Sequence, residues 1–130
     1  MSPRRALRTG QAPAAIGPYS QGIHDEETGL VFCAGQIGLD PGTGELVPGG
    51  VEAECRRALE NVRAVLAAAG CDFGAVVRVT LYLADMADFA AVNAIYATYM
   101  TEPYPARATV QASGLPRGAR LEFEVTALRK

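Results

Sequence analysis

Apolar residues along this chain switch between two periods, and the switches divide it into elements. From Val51 to Ala69 they recur at Cys55, Ala58, Leu59, Val62, Leu66 and Ala69, the spacing of one helical face. Glu52 and Glu54 fall in the first turn, where carboxylates complement the helix dipole. Pro48-Gly49-Gly50 stops the preceding loop, and Gly70 is a natural C-terminal stop. Val76 to Leu83 is rich in β-branched and aromatic residues and predicts a strand with Val77, Val79, Leu81 and Leu83 on one face. Asp85 or Asp88 can cap a second helix whose stripe is Phe89, Val92, Ile95 or Tyr96, and Tyr99. Those aromatics read as core. Glu102-Pro103-Tyr104-Pro105 breaks that helix.

Shorter signals fill in the rest. The segment up to about Gln21 carries Pro13, Gly17 and Pro18 and is expected to be irregular or edge-like. Gly22 to His24 and Leu30 to Ala34 flank a polar stretch ending in Gly29, the pattern of a β-hairpin. Asp40-Pro41-Gly42-Thr43-Gly44 is a turn. A strand is predicted from about Arg107 to Ala112, a turn at Leu115-Pro116-Arg117-Gly118, and a last strand in which Leu121, Phe123 and Val125 alternate with Glu122, Glu124 and Thr126. The order is β-β-α-β-α-β-β, an α+β sheet with both helices on one face.

Composition bounds this picture without changing it. The 130 residues suit a single domain spanning 1–130. An apolar share of 49% and a charged share of 20% belong to a globular protein, and no apolar run reaches the roughly 20 residues of a membrane span. Net charge is −2 and the pI near 5.4, so no broad cationic field invites nucleic acid. Met1 to Arg8 is basic but is followed by no apolar stretch; it reads as a solvated tail, a transit peptide being the other reading. Cys33, Cys55 and Cys71 make no Cys-x-x-Cys pair, and His24 is the single histidine. A cytoplasmic protein without metal or cofactor is the default.

Candidate chemistry is sparse. Serine and threonine hydroxyls have no evident base, and no glycine loop has the pattern of a phosphate cradle. Two placements remain. Arg107 opens a strand after a proline-bounded turn, where its planar donors can meet a small carboxylate; the bland alternative is a surface arginine. Glu122 alternates with apolar neighbours and so faces either a cleft or solvent.

Six segments carry a resemblance. Gly17-Pro18-Tyr19-Ser20-Gln21, Gly35-Gln36-Ile37, Asn61-Val62-Arg63-Ala64-Val65-Leu66, Val92-Asn93-Ala94-Ile95-Tyr96, Pro105-Ala106-Arg107 and Leu121-Glu122-Phe123-Glu124-Val125 follow one another as in the Rid family, also called YjgF. The chain resembles these reactive-intermediate deaminases from about Ala14 to Leu128. The resemblance implies a chorismate-mutase-like α+β fold assembled as a homotrimer, with active sites in clefts between subunits. It also implies hydrolysis of 2-imino acids, such as 2-iminopropanoate and 2-iminobutanoate, to 2-keto acids and ammonia.

Position by position, the resemblance implies that Arg107 clamps the substrate carboxylate and Glu122 orients or activates the attacking water. Tyr19 hydrogen-bonds that water or the imine nitrogen, the Gly35 backbone supports the carboxylate, and Asn93 lines the site. Two positions depart from the pattern. Thr109 stands where many members have cysteine, so covalent thiol catalysis there is excluded, while a role of the backbone N–H is served equally well by threonine; Ala34 stands where many have serine, and loss of that hydroxyl could alter substrate preference. The three cysteines then read as small hydrophobes. Rival readings are a relative acting on other imines, a non-catalytic regulator that binds 2-keto acids through the same arginine, and a ribonuclease, which the acidic pI and lone histidine disfavour.

Overall fold

The computed structural model describes residues 3–129; Met1 and Ser2 of the basic start, and Lys130, lie outside the described residues. Chain order is β1 (Arg4–Leu7), β2 (Gly22–Asp25), β3 (Leu30–Gln36), α1 (Gly50–Ala68), β4 (Val76–Leu83), α2 (Phe89–Tyr99), β5 (Ala106–Gln111) and β6 (Leu121–Leu128). The strands form one six-stranded sheet in the order β1-β2-β3-β6-β4-β5. Neighbours are antiparallel except β4 and β5, which run parallel because α2 carries the chain back between them. The expected element order is present with one strand added: the opening segment supplies β1, an edge strand paired to β2.

α1 follows its periodicity. Cys55, Ala58, Leu59, Val62, Leu66 and Ala69 are all buried, together with Val65. Gly70 ends the helix at φ 78, its N–H donating to the Ala67 carbonyl at 2.9 Å while the Cys71 N–H reaches that of Leu66 at 3.0 Å. Alternate strand residues meet the helices: Val31, Cys33, Val79, Leu81, Leu83, Leu121, Phe123 and Val125 are buried. Both helices therefore cover one face, as the pattern predicted. The other face presents Phe32, Val110 and Glu124 to the outside.

One strand face differs from expectation. Val77 does not join Val79, Leu81 and Leu83; it is exposed, and Val76 is buried instead. A bulge between Val76 and Arg78 inserts one residue against β6 and reverses the alternation upstream of it. The second helix is preceded by a short 3-10 turn, Met86–Asp88, capped by Asp85, whose Oδ1 accepts from the Ala87 N–H at 2.8 Å.

Two buried polar groups on α1 anchor the connections around the sheet. Asn61 lies wholly buried within the apolar stripe, donating to the carbonyls of Ile37 at 3.1 Å and Leu39 at 2.9 Å and accepting from Arg57 Nε at 3.1 Å. Glu54 accepts the Arg120 backbone N–H at 2.9 Å, tying α1 to the chain just before β6. Each satisfies main-chain groups that a loop would otherwise leave unpaired.

Candidate active site

Arg107 is the second residue of β5, in register with Val79, so its side chain emerges on the helix-covered face of the sheet. There α2 receives it. Arg107 Nη1 donates to Asn93 Oδ1 at 2.7 Å, and its Cζ stands 4.8 Å from the Tyr96 ring centre and 5.4 Å from that of Phe89. Phe89, Asn93 and Tyr96 share one helical face by their spacing. Tyr96 stacks in turn on Phe123 at 6.1 Å between ring centres, which fixes the lower ring against the core. Contacts of this kind are worth about 0.5–2 kcal/mol each and hold a planar cation without neutralising it. Among the described residues no carboxylate forms a salt bridge with Arg107. Thr109, in register with Leu81, lies on the same face.

Glu122 belongs to a different group. On β6 it is in register with Tyr82, and a bulge in β3 between Cys33 and Gln36 brings Gly35 against it. A methyl at Gly35 would stand 2.9 Å from Glu122 Cδ and closer still to Oε2, so only glycine leaves this carboxylate its place. Burial, and secondly the charge of Glu124, push the Glu122 carboxyl above its ordinary range. Glu124 is engaged by Tyr82, whose hydroxyl donates to Oε1 at 3.0 Å. Tyr19, 55% exposed, lines with Gly35 and Glu122 a cleft of about 680 Å³. Arg117 walls that cleft in a left-handed conformation (φ 61), with Nη2 donating to the Gly44 carbonyl at 2.9 Å.

The structure thus sorts the expected site residues into two sets. Arg107, Asn93 and Thr109 lie toward the helices; Tyr19, Gly35 and Glu122 gather on the other side. Val79 and Tyr82, the register partners of Arg107 and Glu122, are three apart on β4 and point to opposite faces. Within one chain, therefore, Arg107 and Glu122 do not share a cleft. The sequence left their convergence open, because parity depends on register.

The thiols are not poised as nucleophiles. Burial pushes the Cys33 and Cys55 thiols up to about 12 and raises that of Cys71, so none is a ready thiolate. His24 is buried in β2, its Nδ1 3.4 Å from Arg5 Nη2, away from both sets. The part of the site hardest to see in the sequence is the aromatic holder. Phe89 and Tyr96 read as core, yet both also bear the guanidinium; the available signal was a polar Asn93 between them at helical spacing.

With this geometry in view, the comparisons are specific. The profile of a family described as Endoribonuclease L-PSP matches residues 9–129. The chain is 52% identical over 126 residues to a mouse protein named 2-iminobutanoate/2-iminopropanoate deaminase, covering 97% of this chain and 92% of that protein. It superposes on RidA from the Antarctic bacterium Psychrobacter with a TM-score of 0.89 at 39% identity, covering 95% of this chain and 98% of the other. Escherichia coli TdcF with bound serine gives a TM-score of 0.89 at 39% identity, covering 97% and 99%.

Proposed function

This chain belongs to the Rid (YjgF) family, whose profile carries the description Endoribonuclease L-PSP, and from that premise we propose that it is a 2-imino-acid deaminase, a hydrolase of C=N bonds. The observation that carries the reading is Arg107 itself. Its guanidinium is half-buried and fixed by Asn93 and two rings, yet it has no carboxylate partner among the described residues. A cation prepared in this way is an anion site awaiting an anion. A small substrate carboxylate fits it, and Glu122 supplies the proton chemistry that an imine then needs.

The reaction asks for little else. A protonated imine, R–C(=NH₂⁺)–COO⁻, is already electrophilic. Glu122 takes a proton from water as the new C–O bond forms and the C=N electron pair moves to nitrogen. It returns that proton to the amine, the C–N bond breaks with its electron pair leaving on ammonia, and Glu122 takes the hydroxyl proton as the carbonyl forms and passes it to the ammonia, leaving a 2-keto acid and ammonium. A carboxyl raised above its ordinary range is suited to both transfers. In this reading Tyr19 hydrogen-bonds the water or the departing nitrogen, the Gly35 backbone faces the substrate, and Thr109 offers its N–H. The products follow from 2-iminobutanoate or 2-iminopropanoate, the substrates in the mouse relative's name.

Because Arg107 and Glu122 lie on opposite faces of one chain, we assign the complete site to the junction of two copies in a homotrimer: one contributes Arg107, the next Glu122. Three free cysteines, two of them buried, suit a cytoplasmic location. The test is complementation. Arg107→Ala and Glu122→Gln proteins, each inactive in a dehydratase-coupled assay with semicarbazide as imine trap, are unfolded together and refolded. Mixed trimers regain activity if each site draws on two chains. Absence of any regain in trimers shown to be mixed would sink the shared site. A wild-type protein that traps and releases 2-keto acids without accelerating imine loss would support the regulator instead.

A further inference from the structure

Tyr19 has little to hold it. More than half of the residue is exposed, and its ring rests on Gly17, whose position for a Cβ is 3.6 Å from the ring edge. What fixes the surrounding chain is a residue two positions later. Gln21 is 6% exposed, and its carboxamide reaches only main chain. Oε1 accepts the Thr9 N–H at 2.8 Å; Nε2 donates to the carbonyls of Pro13 at 2.8 Å, Thr9 at 3.0 Å and Ala12 at 3.2 Å. The Gln21 carbonyl meanwhile accepts the Ala34 N–H at 2.9 Å, beside the bulge that sets Gly35 against Glu122.

We infer that Gln21 is a positioning residue: its carboxamide fixes the strap of residues 9–20 that presents Tyr19 to the Glu122 cleft. The strap lies between β1 and β2, without a strand partner for these peptide groups, and Pro13 and Pro18 lie within it. Main chain left unpaired away from water is costly, so one side chain that satisfies both donors and acceptors there determines the local conformation. A carboxamide has both capacities, one oxygen that accepts and a nitrogen with two hydrogens to donate, at the reach these groups require. Glutamate at this position would set a carboxylate against three carbonyls, and methionine keeps the length and loses every hydrogen bond. The role rests on the deaminase reading, since it acts through Tyr19.

The test is a double-mutant cycle with an independent structural readout. Wild type, Gln21→Met, Tyr19→Phe and the double variant are compared in 2-iminobutanoate hydrolysis. Gln21→Met is expected to lower kcat about tenfold in the parent and less than about twofold in the Tyr19→Phe background, the non-additivity of residues acting as a unit. Equal losses in both backgrounds overturn the proposal, because a general weakening of the fold would act in both. Unchanged turnover in Tyr19→Phe overturns it too, since nothing would then remain to be positioned.

Hydrogen exchange of the Thr9 amide reads the strap without any reaction. It is expected to be protected in the wild type and to exchange at least about tenfold faster in Gln21→Met. Unprotected exchange in the wild type refutes the clamp even if Gln21→Met fails to fold. If the wild type hydrolyses no imine, the deaminase reading fails and the positioning role with it, while a protected Thr9 amide shows that the clamp itself stands.

Discussion

Around Arg107 every neighbour comes from regular structure: Asn93, Phe89 and Tyr96 from successive turns of α2, and the arginine from a strand in register with β4. Around Glu122, Tyr82 and Glu124 come from strands, but the residues that shape the cleft come from exceptions to regular structure: Gly35 from a bulge, Tyr19 from a loop between β1 and β2, Arg117 from a left-handed turn. The difference matches the two tasks. Binding a carboxylate needs a planar fork held at a fixed angle, which helix and strand provide at low conformational cost. Moving a proton needs a carboxyl whose surroundings shift its affinity for protons and leave space for water, which a bulge and a loop provide. On the proposed function, the chain builds binding on one face and chemistry on the other.

The comparison breaks most visibly at the proton-transfer end. Glu122→Gln keeps the shape of the carboxyl and removes its proton capacity, and kcat is expected to fall about 10²- to 10⁴-fold, with KM little changed. Arg107→Ala is expected to cost about 10²- to 10³-fold in kcat/KM, chiefly through KM, as truncating one partner of a desolvated charge pair does. Steady-state kinetics on both variants separates the two roles. If Glu122→Gln raises KM and leaves kcat intact, the division of labour is reversed.

Gly35→Ala probes the exception itself. The glycine is not in the left-handed region, and the three atoms nearest an added methyl all belong to the flexible Glu122 side chain. The carboxylate is displaced and the fold is not. Activity is expected to fall about 10²-fold, the effect of misplacing a catalytic group by roughly an ångström. A thermal melt is expected to stay near that of the wild type. A large loss of stability with the remaining kcat intact would mean that Gly35 serves packing instead.

The same contrast explains what the sequence could reveal. α1 was legible because six apolar positions keep one helical period, and β6 because Leu121, Phe123 and Val125 alternate without interruption. Val77 was not, because one inserted residue against β6 reverses parity and leaves no compositional mark. Asn61 was legible only as a motif letter; a wholly buried asparagine within an apolar stripe is the sign that it holds a loop, here at Ile37 and Leu39. Arg107 and Glu122 each stood out individually. Their separation onto two faces could not be read, since it depends on the parallel pairing of β4 with β5 and on a crossover that no local pattern encodes.

The smallest expected effect tests the tuning of Glu122. Its carboxyl is raised first by burial and then by Glu124, so its base form appears only above the ordinary carboxylate range. Activity that needs the base should rise through that higher pH, giving a displaced acid limb in the kcat profile. Stability runs the other way. A carboxyl whose folded pKa exceeds its unfolded one contributes fully below the unfolded pKa, and that contribution is lost as pH rises through the folded pKa. Glu124→Gln removes the second cause and leaves the first. The acid limb should therefore move toward lower pH without reaching the ordinary value, and the loss of stability with rising pH should begin where it did but end earlier by the same interval. Tyr82, which loses its carboxylate acceptor in this variant, supplies the control: Tyr82→Phe keeps Glu124 and should leave the limb where it is. If Tyr82→Phe moves the limb as far as Glu124→Gln does, the hydrogen-bonded pair and not the charge sets the proton affinity of Glu122.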